Sequence, residues 1–484
     1  MSESFDMFDC VKFAVRLASL VLGLALTVAG VAGEKPNVVI ILTDDMGYGD
    51  PGCYNPESKI PTPHIDGLAR EGMRFTDAHA PGPLCHVSRY GLITGRYPFR
   101  KKIQWKNNAV IDEGRMTIAS LLHGAGYDTA MVGKWHLGFF EDEKFEGPLR
   151  GGPADRGFDT YFGIRASTDI PPYFYIRGTK AVTPPSGYIE ANNTPGWTAI
   201  QGAFSREGGI APDLKLEEVM PRFTEEAISV IRDHGAGDSG NPLMLYLAYP
   251  APHTPWLPTE AFRGGSEAGS YGDFVHMVDH QIGEVMKALD QAGMADETLL
   301  IFTADNGPVW YEADVEKYGH DSSGGLRGMK ADAWENGHRM PFIVRWPGRV
   351  KAGAVSDDTI CFTDIFATLA EITDSVVPEG QAPDSESFLS VLNGSQEEGT
   401  PVRGPIALQA GRGHFMIRSG NWKLITGPES GGFSKIDKAV AKSLPQRQLY
   451  HLGEDVGETH NLQAEFPDKV KELEAALTLI RDSE

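Results

Sequence analysis

Cysteine is scarce in this chain, with four in 484 residues, too few to staple a disulfide scaffold. Long apolar runs are scarcer still. The one that stands out, Leu17 to Gly33, is on the short side of the ~20 residues a spanning helix needs, so no stable membrane span is expected once it is removed. Bases are outnumbered, 44 against 66 acids, for a formal net charge of -22. A field of that sign repels nucleic acid and anionic membrane surfaces, and an anionic substrate would need a locally basic pocket. No internal repeat and no long low-complexity tract interrupts the chain, which sets aside repeat architectures.

What is present fits a globular, loop-rich α/β enzyme: 41% hydrophobic residues with 56 Gly and 32 Pro. The length allows one large domain and a smaller one. Lys12 and Arg16 precede the apolar run, and Val31-Ala32-Gly33 offers a small-residue cleavage site. Residues 1–33 therefore read as an export signal, which predicts a periplasmic or secreted protein. Cys10 leaves with that segment. Cys53 and Cys361 either pair or stay buried as thiols, and Cys85 is the odd thiol of an exported chain.

Short apolar runs alternate with amphipathic patterns as far as about residue 375. "VVIIL" (Val38 to Leu42), "AMV" (Ala130 to Val132), "PLMLYLAY" (Pro242 to Tyr249), "LLIFT" (Leu299 to Thr303) and "PFIVRW" (Pro341 to Trp346) read as strands covered on both faces. "TPHIDGLAREG", "TIASLLHGAG" and "VHMVDHQIGEVMKALDQAG" read as helices between them. The pattern predicts a large doubly wound, mixed but mostly parallel sheet flanked by helices over residues 34–398. Residues 399–484 predict a smaller α+β subdomain: a hairpin through "FMIRSGNWKLI", a strand "RQLYHL" and a closing helix with Val470, Leu473, Leu477 and Ile480 on one face. Residues 140–215 and 308–322 have weak periodicity and read as loops over the site.

Two of the apolar strands run straight into oxygen ligands, Asp44-Asp45 in "IILTDDMG" and Asp305-Asn306 in "IFTADNGP". Either pair alone is explained by the turn propensity of Asp and Asn. Both together, at the carboxyl ends of strands where open α/β sheets bind ligands, place three carboxylates and an amide in one region. Such an all-oxygen set suits Ca²⁺ or Mg²⁺ better than zinc. Other strand ends bring cations and imidazoles. "AMVGKWHLG" sets Lys134 and His136 two apart, on one side of an extended chain. "LYLAYPAPHTPW" delivers His253, and a Gly-rich loop delivers Lys330. With Arg89, these groups make a site for a tetrahedral oxyanion with imidazoles for proton transfer. The basic stretch "RYPFRKKIQWK" reads as a solvated face, and His123, His276 and His280 as structural residues on helices.

The stretch "PLCHVSRYGLITGRYP", together with "PNVVIILTDDMGYGD", "GYDTAMVGKWHLG", "TADNGP", "LRGMKADAWENGHRMPFIVRWPG" and "QLYHLGEDVGETHNL", resembles the sulfatase family of the alkaline phosphatase superfamily. The resemblance implies that Cys85 is converted after translation to formylglycine by a modifying enzyme and rests as the hydrated aldehyde. One hydroxyl of that gem-diol attacks sulfur, and deprotonation of the other expels the product. It further implies one Ca²⁺ per chain, held by Asp44, Asp45, Asp305 and Asn306. Arg89 would fix the diol, and Lys134 and Lys330 would bind sulfate oxygens. His253, helped by Lys330, would protonate the leaving alcohol, and His136 would take the proton of the second hydroxyl. The substrate would be a sulfate ester, carbohydrate sulfates included. One position departs from the family pattern: Val87 stands where Pro or Ala is the rule, and a β-branched side chain cannot reproduce the fixed φ of proline. Two alternatives follow from the same residues. One is a phosphonate or phosphate ester hydrolase. The other is a sulfated-glycan binder whose Cys85 stays a thiol because of Val87.

Overall fold

Apolar segments that end in turn residues build the centre of the molecule, a sheet with the expected doubly wound layering. The structure is a computed structural model. It describes residues 35–483 apart from 104–108, 141–144, 146, 196 and 198–199; the expected export segment lies outside the described residues. The strands are β1 (Asn37–Asp44), β2 (Met73–His79), β3 (Asp128–Lys134), β4 (Thr160–Ile164), β5 (Ile176–Arg177), β6 (Lys180–Ala181), β7 (Gly187–Ile189) and β8 (Gly208–Ile210). They continue with β9 (Leu243–Pro252), β10 (Thr298–Ala304), β11 (Arg339–Arg345), β12 (Ala354–Ser356) and β13 (Ile360–Cys361). The main sheet has the order β12-β2-β11-β10-β1-β9-β3-β4-β5-β6, with β13 on β2. β7 and β8 pair separately.

β1 lies parallel to both β9 and β10, and β3 is parallel to β9 and β4. Every residue of β1, β9 and β10 is buried. Continuous apolar runs such as Val38–Leu42 are what a strand covered on both faces requires, and each such side chain contributes roughly 1.5–3 kcal/mol on burial. The "PFIVRW" run supplies an antiparallel member of the expected mixed, mostly parallel sheet. It forms β11, antiparallel to both β10 and β2, and the segment that precedes it, with the short helix Glu312–Tyr318, returns along the carboxyl edge. Reversal at β11 lets the loop that carries Lys330 enter from the same edge at which β1, β2, β3, β9 and β10 end.

Helices Pro63–Glu71, Ile118–Gly124 and Gly269–Gln291 lie where the amphipathic patterns put them, and a further helix spans Val219–Gly235. Segment 140–215 is not all loop. "TYFGI" adds β4 to the main sheet, and a short helix, Glu312–Tyr318, interrupts 308–322. After residue 400 come β14 (Ile406–Gln409), β15 (Phe415–Ser419), β16 (Trp422–Ile425) and β17 (Gln448–His451), one antiparallel sheet in sequence order. Helix Pro467–Asp482 buries Val470, Leu473 and Leu477 against its apolar face, with Ile480 half-covered. No helix among the described residues is long and apolar enough to cross a membrane.

A buried charge cluster joins this small sheet to the large one. His79 Nδ1 lies 2.9 Å from His338 Nδ1. Lys423 Nζ is 2.9 Å from Glu335 and 2.8 Å from Glu458, while Arg418 reaches Asp77. The imidazoles and Glu335 have metal-ligand spacing, but Lys423 and Arg418 already supply the positive charge there. Cys53 and Cys361 are both free thiols.

Candidate functional site

β1 ends at Asp44, where its register against β9 shifts and sets Asp44 opposite Pro252. Asp45 then turns out of the strand with φ +64°, a left-handed conformation that is uncommon for a residue with a side chain. β10 continues alongside, its next residue tied in by Asp305 N–H donating to Thr43 O at 3.0 Å. The Asp45 N–H faces Asp305 Oδ1 at 3.3 Å, and Asn306 Nδ2 donates to Asp45 Oδ1 at 2.7 Å. Parallel pairing thus brings Asp44, Asp45, Asp305 and Asn306 together.

Three cations meet these carboxylates. Arg89 is fully buried and grips Asp305 Oδ2 through Nε at 2.9 Å and Nη2 at 2.8 Å; its Nη1 donates to Lys134 O at 3.0 Å. Lys134 Nζ pairs with Asp44 Oδ2 and lies 2.5 Å from Ser167 Oγ. Lys330 Nζ bridges both oxygens of Asp45 at 2.6 and 2.8 Å. Burial opposes the charge on Asp44, but Lys134, His253 and Arg89 outweigh it and hold that carboxyl below its usual range. At Asp305, burial and the neighbouring charge of Asp44 push the carboxyl up against the pull of Arg89. Burial likewise opposes protonation of Lys330, and Asp45 reverses this and raises it.

Cys85 is the first residue of helix Cys85–Thr94, which Gly95 ends at φ +62° with its N–H on Gly91 O. The thiol therefore sits where free backbone N–H groups favour an anion. Burial would raise it, but Lys134, His136 and Lys330 hold it well below the ordinary thiol range. Sγ shares ligand-distance clusters, within 4.8 Å, with Asp44 and Asp305 on one side and with His86 and His136 on the other. His136, at φ +56°, donates its backbone N–H to Arg165 O at 2.9 Å, and burial lowers its imidazole to about 4. His253 follows β9 and presents Nε2 at 3.7 Å from Asp45 Oδ2, while Nδ1 is 2.6 Å from Thr254 O. Ala331 N–H donates to Pro83 O at 2.7 Å, which ties the Lys330 loop to the Cys85 loop.

Two oxygens bear on what the cluster can hold. Asp44 Oδ1 and Asn306 Oδ1 are buried and have no hydrogen-bond partner. Orphaned acceptors of this kind are costly, and a hard divalent cation would satisfy both within an all-oxygen set.

Residues 36–375 match the sulfatase family model. The chain belongs to the sulfatase family. It is 33% identical over 517 residues to an N-acetylgalactosamine-6-O-sulfatase of Bacteroides thetaiotaomicron, covering 97% of this chain and 99% of that one. Human arylsulfatase A is 32% identical, over 92% of this chain and 86% of its own. A structure from work on the metabolism of multiple glycosaminoglycans by Bacteroides thetaiotaomicron superposes with a TM-score of 0.81 at 32% identity, covering 93% of this chain and 100% of that one. A Pseudoalteromonas sulfatase superposes with a TM-score of 0.72 at 25% identity, over 93% and 90% of the two chains. The sulfatase is accordingly a sulfuric ester hydrolase.

Its site also contains residues that sequence reasoning misses. Ser167 and Asp169 follow β4: Ser167 Oγ meets Lys134, and Asp169 Oδ1 is 3.9 Å from His253 Nδ1. The available signal is a polar pair two residues apart after "TYFGI", obscured because five residues are too few to show a strand period. His86 lies inside the cysteine motif, with its ring 5.7 Å from that of His136.

Proposed function

We propose that this sulfatase is exported and hydrolyses a carbohydrate sulfate ester, with residue 85 acting in its formylglycine form beside a calcium ion. What supports the reading is one juxtaposition: a thiol at a helix start, three carboxylates, three cations and two imidazoles at a single sheet edge. Asp44, Asp45, Asp305 and Asn306 would hold the calcium, which would polarise sulfate oxygens and acidify the hydrated aldehyde. Arg89 orients residue 85, and Lys134 and Lys330 take the charge of the sulfate oxygens. One hydroxyl of residue 85, ionised because the calcium would acidify it, would attack sulfur in line, forming a new S–O bond as the S–O bond to the alcohol breaks. His253 gives the departing alcohol its proton, with Lys330 assisting. His136, kept neutral above about pH 4 by burial, takes the proton of the second hydroxyl so that the aldehyde re-forms and sulfate leaves.

The similarity to an N-acetylgalactosamine-6-O-sulfatase along almost its whole length makes 6-sulfated N-acetylgalactosamine the first substrate to test. The site supplies few cations for a dianionic phosphate monoester, which favours the monoanionic sulfate. The decisive experiment is mass spectrometry of the tryptic peptide Phe75–Arg89 from protein made in its own host, paired with assays on sulfate, phosphate and phosphonate esters. An aldehyde at residue 85 and preference for sulfate are expected. An unmodified thiol with no turnover would replace this reading with that of a sulfated-glycan binder.

A further inference from the structure

We propose that Asp50 is a positioning residue: through Gly47, Tyr271 and His320 it locks the turn that sets Asp45 for cation binding. The proposal rests on the calcium reading above and extends it to side chains outside the set assigned to substrate or ion.

The Asp50 carboxylate is fully buried and has no part in the chemistry just described. Its Oδ2 accepts the Gly47 N–H at 2.6 Å and the Tyr271 hydroxyl at 2.5 Å, and its Oδ1 lies 2.9 Å from His320 Nε2. His320 Nδ1 accepts the Lys59 N–H at 3.3 Å, so the ring proton sits on Nε2 and points at Asp50. Tyr271 is the link to the site. Its hydroxyl is 3.4 Å from Asp45 O and 3.2 Å from Ser322 Oγ. Its ring packs against both Trp256 and Trp310, at centroid distances of 5.2 and 4.8 Å, and Trp310 Nε1 donates to His320 O at 2.9 Å.

The same turn is pinned from outside. Gly49 N–H donates to Ser322 O at 2.9 Å. A Cβ on Gly47 would stand 2.1 Å from Ser322 O, so the two segments touch backbone to backbone. Left-handed backbone at a residue with a side chain persists only where its surroundings over-determine it. Asp45, at φ +64°, is such a residue, and the Asp50 knot is the part of its surroundings that reaches its own carbonyl. A neutral side chain could close the turn without the cost of burying a carboxylate. The acid does what a neutral group could not, collecting three donors from three separate segments.

The test compares wild type with Tyr271→Phe and Asp50→Asn, each stripped with chelator and titrated with calcium chloride by calorimetry. Melting in chelator is measured alongside. Calcium Kd is expected to weaken about 10- to 100-fold in both variants, with the chelator melting temperature of Tyr271→Phe close to wild type. Wild-type affinity in Tyr271→Phe overturns the proposal. So does weak binding that merely tracks a lower melting temperature in chelator, since a purely structural role gives that result. An absence of calcium heat in wild type itself would instead sink the metal reading on which the proposal rests. If Asp50→Asn does not fold, Tyr271→Phe alone decides between the same outcomes.

Discussion

Replacing Arg89 with methionine keeps an unbranched apolar stem and removes one of the three cations that face three buried carboxylates. In the wild type, Arg89 holds Asp305 Oδ2 from two nitrogens, at 2.9 and 2.8 Å, and stands 3.9 Å from Asp44. Both partners are fully buried, so water cannot take over. Breaking a buried pair from one side costs about 3–5 kcal/mol, because the abandoned charge remains. With an unfolding entropy near 2 cal/mol/K per residue, roughly 1 °C of melting temperature follows each kcal/mol in a chain of this size. Arg89→Met should therefore melt about 3–5 °C below wild type in chelator at neutral pH. The sign of the pH dependence is fixed by Asp305, which burial and Asp44 already push up. A raised carboxyl is neutral in acid, so the deficit should shrink as pH falls and be largest in alkali. Arg89→Met/Asp305→Asn, which removes the stranded charge, should recover more than half of the loss. Saturating calcium should narrow the gap as well. Differential scanning fluorimetry across pH, with and without calcium, on wild type, Arg89→Met, Asp305→Asn and the double variant reads all four corners of the cycle. A double variant no more stable than the single one would refute the reasoning, because the cost would then lie in packing rather than in charge.

Cys85→Ala should abolish turnover on aryl sulfates while leaving the melting temperature and calcium binding nearly intact; retained activity would remove residue 85 as nucleophile. Val87→Pro should fold normally, because Val87 is the third residue of its helix and the first intrahelical N–H bond is that of Ser88 to Leu84 O. Aldehyde occupancy in the Phe75–Arg89 peptide should rise in that variant, and unchanged occupancy would show that the modifying enzyme tolerates valine. Asp279 accepts N–H groups of His64 and Ile65 at a helix start, yet burial lifts it to about 7. A raised carboxyl stabilises at low pH and loses that contribution as pH rises through its folded value. Asp279→Asn should therefore flatten the stability profile between about pH 4 and 7, a slope of up to about 1.4 kcal/mol per pH unit. Parallel profiles for wild type and variant would contradict it.

The strands legible in the sequence are those whose burial on both faces leaves no choice but unbroken apolar runs, such as Val38–Leu42 and Leu299–Thr303. β2 and β4 are harder for the opposite reason. "MRFTDAH" carries polar residues at half-covered positions or committed to polar partners, and "TYFGI" is five residues that open on an exposed threonine. In β2, Asp77 and His79 look unlike core until the cluster with Arg418, Arg339 and Glu335 is seen to satisfy them. The direction of β11 is hidden because an apolar run is the same forwards and backwards; the loop before it decides the direction, and loops carry no period.

The candidate site residues divide along the same line. Asp44, Asp45, Asp305, Lys134 and His253 follow apolar strands directly, so strand-end logic reaches them. Ser167 and Asp169 sit behind a strand too short to show itself. Asp50, Tyr271 and His320 come from three segments whose meeting has no local signature. Asp50 stands in a turn, Tyr271 near the start of a long helix, and His320 beyond a short one. What unites them is a carboxylate that would otherwise be unsatisfied. A residue that touches the reacting groups must carry chemistry at a predictable place on the sheet, and its type betrays it. A residue that only holds another in place is constrained by geometry alone. The left-handed backbone at Asp45, a property no sequence period encodes, marks where such holding is needed.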